Sequence, residues 1–199
     1  LRDVNMTIRK GEKIAIVGYN GAGKTTLIKL IMRFYDVSEG EILYNGVNIK
    51  EYDPEAYRER IGTVFQDYKI FATSLAENVL GREYREGDDE QVLAALSAAD
   101  FDEKLSRLEG GIQTHMTREF DDKGENLSGG EQQKLSLARI FADRTPFVLL
   151  DEPSSALDPI AEYTMFENMM RATEGRSVIF ISHRLSSAVL ADRVFLMDG

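Results

Sequence analysis

The chain has 199 residues, 43% hydrophobic and 29% charged, an ordinary balance for one soluble globular domain or for a core with a smaller lobe. Its 34 acidic residues outnumber the 24 basic ones and give a net charge of −10, which argues against a broad nucleic-acid-binding surface. With no cysteine and only two histidines, His115 and His183, the sequence excludes a disulfide framework, a thiolate site and a histidine-rich metal site.

The first elements in chain order are a strand, a second strand and a helix. Apolar and polar residues mostly alternate over residues 1–8, which predicts a half-buried strand. The β-branched run of residues 13–17 is typical of a buried parallel strand. Apolar residues then recur at spacings of three and four from Leu27 to Phe34, which predicts a helix.

Between that strand and helix, residues 18–26 fit the phosphate-binding loop pattern, Gly, four residues, then Gly-Lys-Thr. Its glycines allow positive φ and a close approach of backbone N–H groups to a polyphosphate at the start of a helix. We expect Lys24 to present a solvent-facing ammonium to the β- and γ-phosphates, and the Thr25 hydroxyl to ligate Mg²⁺. The sequence therefore predicts a nucleotide site, with candidate binding residues Asn20, Gly21, Ala22, Gly23, Lys24, Thr25 and Thr26.

The rest of the chain alternates between strands and helices around a helical middle. Residues 41–49 read as an antiparallel hairpin turning at Asn45 and Gly46, followed by a short helix after Pro54 and a strand at 61–65. Residues 67–142 are mainly helical. Strands return at 147–150, 178–181 and 194–197, with a helix near 161–173. This order predicts an α/β fold with a mostly parallel sheet, a small antiparallel part and a helical insertion.

Polar residues follow three of these strands. Asp151 and Glu152 end one apolar strand, where Asp151 could hold Mg²⁺ and Glu152 could polarise an attacking water. Two solvated acids are the alternative. Gln66 could ligate the metal or contact the γ-phosphate, and His183 could donate a hydrogen bond to that phosphate. An ordinary polar cap and a structural histidine stay open for these two positions.

A second candidate phosphate grip lies at residues 127–133, where a serine and two glycines open a helix. Since the first loop already forms a complete phosphate-binding site, we expect the second site to contact phosphate that is bound to another copy of the chain.

Together these stretches resemble the nucleotide-binding domain of an ATP-binding cassette (ABC) transporter over nearly all 199 residues. The resemblance rests on five ordered motifs: the Walker A loop at 18–26, the Gln66 loop, the Leu-Ser-Gly-Gly-Glu signature at 127–131, the Walker B strand with Asp151 and Glu152, and the D-loop at 155–158 with the switch histidine His183. It implies a P-loop NTPase (RecA-like) core at 1–66 and 143–199, and a helical subdomain at 67–142.

The resemblance also implies roles, residue by residue. Two cassettes would face head to tail, so that ATP on one Walker A loop is covered by Ser128, Gly129, Gly130 and Glu131 of the other. Thr25, Gln66 and Asp151 would surround Mg²⁺, and Asp158 would cross to the partner. Glu152 would be the general base, assisted by Lys24, Gln66 and His183. The chemistry agrees, because a loose phosphoryl transition state needs mainly positioned charge and an oriented water.

The chain differs from the family pattern at two points, and two of its segments indicate a transport direction. Glu131 stands where the family often has Gln, and the aromatic residue that stacks on adenine in the family would precede Leu1. The segments 66–79 and 182–188 are similar to exporters, so we expect a six-helix membrane domain on the same polypeptide and a place at the cytoplasmic face of the membrane. The given chain, beginning at Leu1, would be a soluble piece of that protein.

Two rival functions stay open. An ABC ATPase acting on nucleic acid or ribosomes would carry a long coiled coil or a second cassette; here 60 residues separate Gln66 from the signature, without heptads, and we expect no nucleic-acid partner. A non-hydrolysing module that only dimerises on ATP would lack Glu152 or His183, and both are present.

Overall fold

A computed structural model describes residues 1–65, 69–119, 122, 124–153, 159–182 and 188–198. The chain divides into two compact units. The sheet unit comprises Leu1–Thr63, Thr145–Glu152 and Gly175–Gly199, and the helical unit comprises Val64–Arg144 and Pro153–Glu174.

The sheet has five strands, β1 (Lys13–Gly18), β4 (Ile61–Val64), β5 (Phe147–Asp151), β6 (Ser177–Ile181) and β7 (Arg193–Met197). All of them lie in the sheet unit except the last residue of β4, Val64, at which the helical unit begins. Their order across the sheet is β4-β5-β6-β1-β7. β1 pairs in parallel with β6 and β7, and β5 pairs in parallel with β6. β5 is buried along its whole length because it is apolar on both faces, as a parallel strand covered on both sides must be. The predicted α/β fold with a mostly parallel sheet is confirmed.

One helix and one hairpin complete this unit. α1 (Lys24–Ile31) follows β1 and contacts β1 and β5. The hairpin β2 (Leu43–Tyr44) and β3 (Val47–Asn48) turns at Asn45 and Gly46, with φ of 52° and 80°. Two residues of positive φ are what a type I′ turn requires. A short 3₁₀ helix (Ile49–Glu51) leads to α2 (Pro54–Arg58).

The predicted strand at residues 1–8 is wrong. The structure shows no strand there, and most of these side chains are exposed. Asp3 has a φ of 53°, a left-handed conformation that interrupts an extended chain, and the Thr7 carbonyl accepts a hydrogen bond from the Arg193 guanidinium.

The helical unit contains α3 (Leu75–Leu80), α4 (Asp89–Ala98), α5 (Asp102–Leu105), α6 (Gly129–Ala142) and α7 (Pro159–Ala172), with a 3₁₀ helix at Gly111–Gln113. α3, α4 and α6 contact one another around fully buried side chains such as Leu75, Val92, Leu96 and Leu135. Within the described part of the chain, no helix combines the length and the apolar character needed to span a membrane.

Candidate functional site

The carboxyl ends of three neighbouring strands meet at one edge of the sheet. The register pairs Ile181 of β6 with Ile16 of β1 on one side and with Asp151 of β5 on the other. The phosphate-binding loop follows β1 at this edge, and the Asp151–Glu152 pair ends β5. In open parallel sheets, ligands bind beyond the carboxyl ends of the strands.

The loop itself is set by backbone geometry. Gly21 and Gly23 have φ of 86° and 92°, in the left-handed region that glycine adopts without strain. The Ala22 amide donates to the Tyr19 carbonyl, which closes the turn. Gly23 is the N-cap of α1, and its carbonyl accepts from the Leu27 amide. The N–H groups of the first turn of α1 therefore point toward the loop, where an anion can accept hydrogen bonds from them.

Lys24 does not face solvent, and this part of its prediction is wrong. The residue is only 5% exposed, and its ammonium donates to the carbonyls of Gly18 at 2.9 Å and Tyr19 at 3.0 Å. The reason is that a buried ammonium needs hydrogen-bond acceptors, and two carbonyls of its own loop supply them. Asn20, Gly21 and Thr26 are exposed.

Thr25 and Asp151 come together from distant parts of the sequence. The Thr25 hydroxyl donates to Oδ1 of Asp151 at 3.2 Å. Asp151 is 3% exposed, and burial raises the pKa of its carboxyl, against the lowering effect of the Thr25 hydrogen bond. The pair supplies a hydroxyl and a carboxylate oxygen side by side, the kind of hard ligand that Mg²⁺ takes. Among the described residues there is no cluster of three or more His, Cys, Asp or Glu side chains that could hold a metal by themselves.

Glu152 leaves the strand in an unusual conformation. Its φ is 52°, in the left-handed region where a glutamate is strained by about 1–2 kcal/mol. Because of this conformation, the Glu152 side chain leaves the backbone in a different direction from the one it would have if β5 continued through it. A sequence pattern carries no signal for this.

Three predicted site residues, Gln66, Asp158 and His183, lie outside the described residues. Their roles stay predictions, as do those of the other site residues.

The signature residues sit at the start of α6 in the helical unit. Ser128 is the N-cap: its amide donates to Oε2 of Glu131 at 2.7 Å, and the Glu131 amide donates to Oγ of Ser128 at 3.4 Å, which completes a capping box. A β-carbon on Gly129 or Gly130 would meet nothing within 4 Å. The first turn of α6 thus presents an unobstructed surface.

A charged residue outside every sequence motif also contacts the signature. Lys104 of α5 places its ammonium 2.6 Å from Oε1 of Glu125 and 3.7 Å from Oε1 of Glu131. It belongs to no motif, and nothing in its local sequence indicates the contact.

A buried polar network fixes the chain just before α3. Asn78 is fully buried, accepts from the Phe71 amide at 2.8 Å and donates back to the Phe71 carbonyl at 2.8 Å. Arg139 of α6 donates to the Asn78 carbonyl at 2.7 Å and to the Lys69 carbonyl at 2.7 Å. The network connects the helix that begins with the signature to the segment that follows Gln66.

Comparison with known proteins gives concordant matches. The family profile described as ABC transporter matches residues 1–155. The subtilin transport ATP-binding protein SpaT of Bacillus subtilis is 41% identical over 209 residues, covering 100% of this chain and 32% of that protein. A protein of Staphylococcus aureus that bears the name of a multidrug export ATP-binding/permease protein is 40% identical over 200 residues, covering 100% of this chain and 34% of that protein.

A solved structure of a bacterial Atm1-family ABC exporter with ATP bound is similar with a TM-score of 0.83 and 34% identity, over 96% of this chain and 32% of that chain. The chain spans about a third of the length of the curated relatives that it matches.

Proposed function

Since the chain belongs to the ABC transporter family, we propose that it binds and hydrolyses ATP and powers export across a membrane as one of two cassettes that close on ATP. The proposal depends chiefly on one observation: the phosphate-binding loop lies beside the end of β5, where the Thr25 hydroxyl is 3.2 Å from Oδ1 of Asp151. The relatives named for export and transport support the direction.

In the proposed site, the loop amides and Lys24 bind the phosphates. Lys24 exchanges its two neutral carbonyl acceptors for anionic β- and γ-phosphate oxygens, so that both partners of each hydrogen bond are then charged. Thr25, Asp151 and Gln66 would hold Mg²⁺, which when bound would neutralise charge on the phosphates. Glu152 orients the attacking water and accepts its proton, while His183 contacts the γ-phosphate.

The second cassette supplies the cover. We place Ser128, Gly129 and Gly130 of the partner over the γ-phosphate, because the first turn of α6 combines helix N–H groups with an open approach. Glu131 would help to shape this cover, and Asp158 would cross between the cassettes. The division into an ATP-binding core at 1–66 and 143–199 and a helical subdomain at 67–142 belongs to the same proposal.

The membrane domain belongs to the proposal as well. The relative from Staphylococcus aureus is named as both ATP-binding protein and permease, and the chain covers a third of it. We infer that the full-length protein carries its membrane domain on the same polypeptide, with this domain at the cytoplasmic face.

The test is analytical ultracentrifugation of Glu152→Gln with Mg-ATP. Removing the base should stop hydrolysis without weakening ATP binding, so two copies should stay closed where the wild type closes only briefly. Adding Ser128→Arg should abolish the dimer by placing bulk in the interface and leave ATP binding by the monomer intact. Ser38→Arg, at an exposed serine outside every motif, is the matched control and should leave the dimer unchanged.

Two results would overturn the proposal. A Glu152→Gln protein that hydrolyses ATP at the wild-type rate contradicts the base assignment. A dimer that survives Ser128→Arg contradicts the head-to-tail site.

A further inference from the structure

The capping box of α6 brings a negative charge to the surface that would receive a phosphate. Glu131 is the third residue of the helix, and its Oε2 is held by the Ser128 amide. A carboxylate in this position stabilises the free helix through the helix dipole. It also repels any anion that approaches the same N–H groups. A glutamine would cap the helix without that repulsion.

Lys104 partly offsets this charge, because its ammonium is shared between Glu131 and Glu125. Its ammonium lies 3.7 Å from Oε1 of Glu131, the carboxylate oxygen opposite the one bound to Ser128, and 2.6 Å from Oε1 of Glu125. The Lys104 side chain is only 15% exposed, so the cation is held in place and is weakly screened. Burial by itself would raise the pKa of Glu131, but the Ser128 hydrogen bonds and the Lys104 charge outweigh it and lower that pKa.

We propose that Lys104 is a positioning residue of the signature: it holds Glu131 in the capping box and offsets its charge, so that the start of α6 accepts the γ-phosphate of ATP bound to a second copy. This inference rests on the proposed function. Lys104 touches no substrate; it acts through Glu131. The pairing makes Glu131 and Lys104 interdependent, and the loss of the cation should be tolerated only if the carboxylate is removed with it.

The experiment measures the ATP-driven dimerisation constant in the Glu152→Gln background by ultracentrifugation. Lys104→Met keeps the aliphatic stem but removes the cation, and should weaken the dimer about tenfold, because both signature helices of the dimer carry the change. Binding of fluorescent ATP to the monomer should stay within about twofold. Lys134→Met is the matched control: Lys134 of α6 pairs with Asp100 at 2.5 Å, and its loss should not weaken the dimer.

Rescue separates a charge effect from a structural one. Lys104→Met combined with Glu131→Gln should restore the dimer, and Lys104→Arg should not disturb it. Should Lys104→Met fail to fold, Lys104→Gln takes its place, because it removes the charge but keeps a polar group beside Glu125; it should weaken the dimer by a similar factor, with the same rescue by Glu131→Gln.

The outcomes distinguish the two proposals. If Glu152→Gln alone does not dimerise with ATP, the head-to-tail function fails and this inference fails with it. If it dimerises and Lys104→Met leaves the constant unchanged, or if Glu131→Gln does not rescue the loss, Lys104 has no positioning role and the proposed function stands.

Discussion

The Lys24 ammonium binds carbonyls of its own loop in the free chain and, by the proposed function, phosphate oxygens when ATP is bound. The substitution Lys24→Met tests both sets of contacts. In the structure its ammonium donates to the carbonyls of Gly18 and Tyr19 at 2.9 and 3.0 Å, and the residue is 5% exposed. Binding of ATP transfers these donors to phosphate oxygens. Methionine keeps most of the aliphatic stem, so the substitution removes the ammonium with little change in packing.

The size of each effect follows from the bonds lost. Since the ammonium gives up its loop carbonyls when it binds phosphate, the loss in ATP affinity equals the difference between the two sets of hydrogen bonds, about 1–2 kcal/mol or about five- to thirtyfold. The free chain loses the bonds to its own loop, which should lower the free energy of unfolding by about 1–3 kcal/mol. For a chain of this size, each kcal/mol corresponds to about 2–4 °C in Tm.

Titration with fluorescent ATP gives the first quantity, and thermal denaturation followed by circular dichroism gives the second. Lys50→Met is the matched control, because the exposed Lys50 also donates to a backbone carbonyl, that of Val37 at 3.1 Å, but lies outside the phosphate-binding loop. It should leave ATP affinity unchanged. Wild-type affinity in Lys24→Met would refute the loop as the nucleotide site, and an unchanged Tm would refute the contribution of the carbonyl contacts.

Three further substitutions test the surroundings of the site. Asp151→Asn should raise Tm at neutral pH, because burial raises the pKa of Asp151 and its charged form therefore costs stability above that pKa. The advantage of the mutant over the wild type should vanish as pH falls below the ordinary aspartate range. The same difference in Tm between mutant and wild type at both pH values would contradict this. Gly18→Ala, whose β-carbon would lie 2.3 Å from a carbonyl oxygen of β7, should cost about 2–4 kcal/mol in urea unfolding, against about 1 kcal/mol for Gly21→Ala, where the space is open. Asn78→Ala should cost about 2–4 kcal/mol and speed hydrogen exchange at the Phe71 amide, because it leaves buried donors and acceptors unpaired; exchange at the wild-type rate would contradict it.

Much of the fold could be predicted because its signals are local. The Asn45-Gly46 turn needs only two residues of positive φ, and the structure has them. The apolar run of β5 is buried along its whole length, as a central parallel strand must be. The phosphate-binding loop is likewise encoded in consecutive residues, and the helix start that it predicts is the start of α1.

What could not be predicted depends on contacts between distant residues. The alternation at residues 1–8 is a strand pattern, but Asp3 has a left-handed φ of 53° and the Thr7 carbonyl is bound by the side chain of the distant Arg193. The direction of the Lys24 side chain depends on which carbonyls lie within reach. Lys104 and Glu131 are 27 positions apart, and only the packing of the helical unit brings them within 3.7 Å.

Gly18 is required for two reasons, one in the phosphate-binding loop and one in the pairing of β1 with β7. In the sequence pattern it is the first glycine of a loop that approaches phosphate closely. In the structure it is also the last residue of β1, paired with Met197 of β7, and the Met197 carbonyl oxygen occupies the place where a β-carbon would be. Gly21 lies in open space and is required only by its φ of 86°. The entry to the loop is therefore fixed by the packing of two strands before any nucleotide binds, whereas its middle is fixed by backbone conformation alone. A substitution at Gly18 should thus be felt in the stability of the sheet, and one at Gly21 mainly in the shape of the loop.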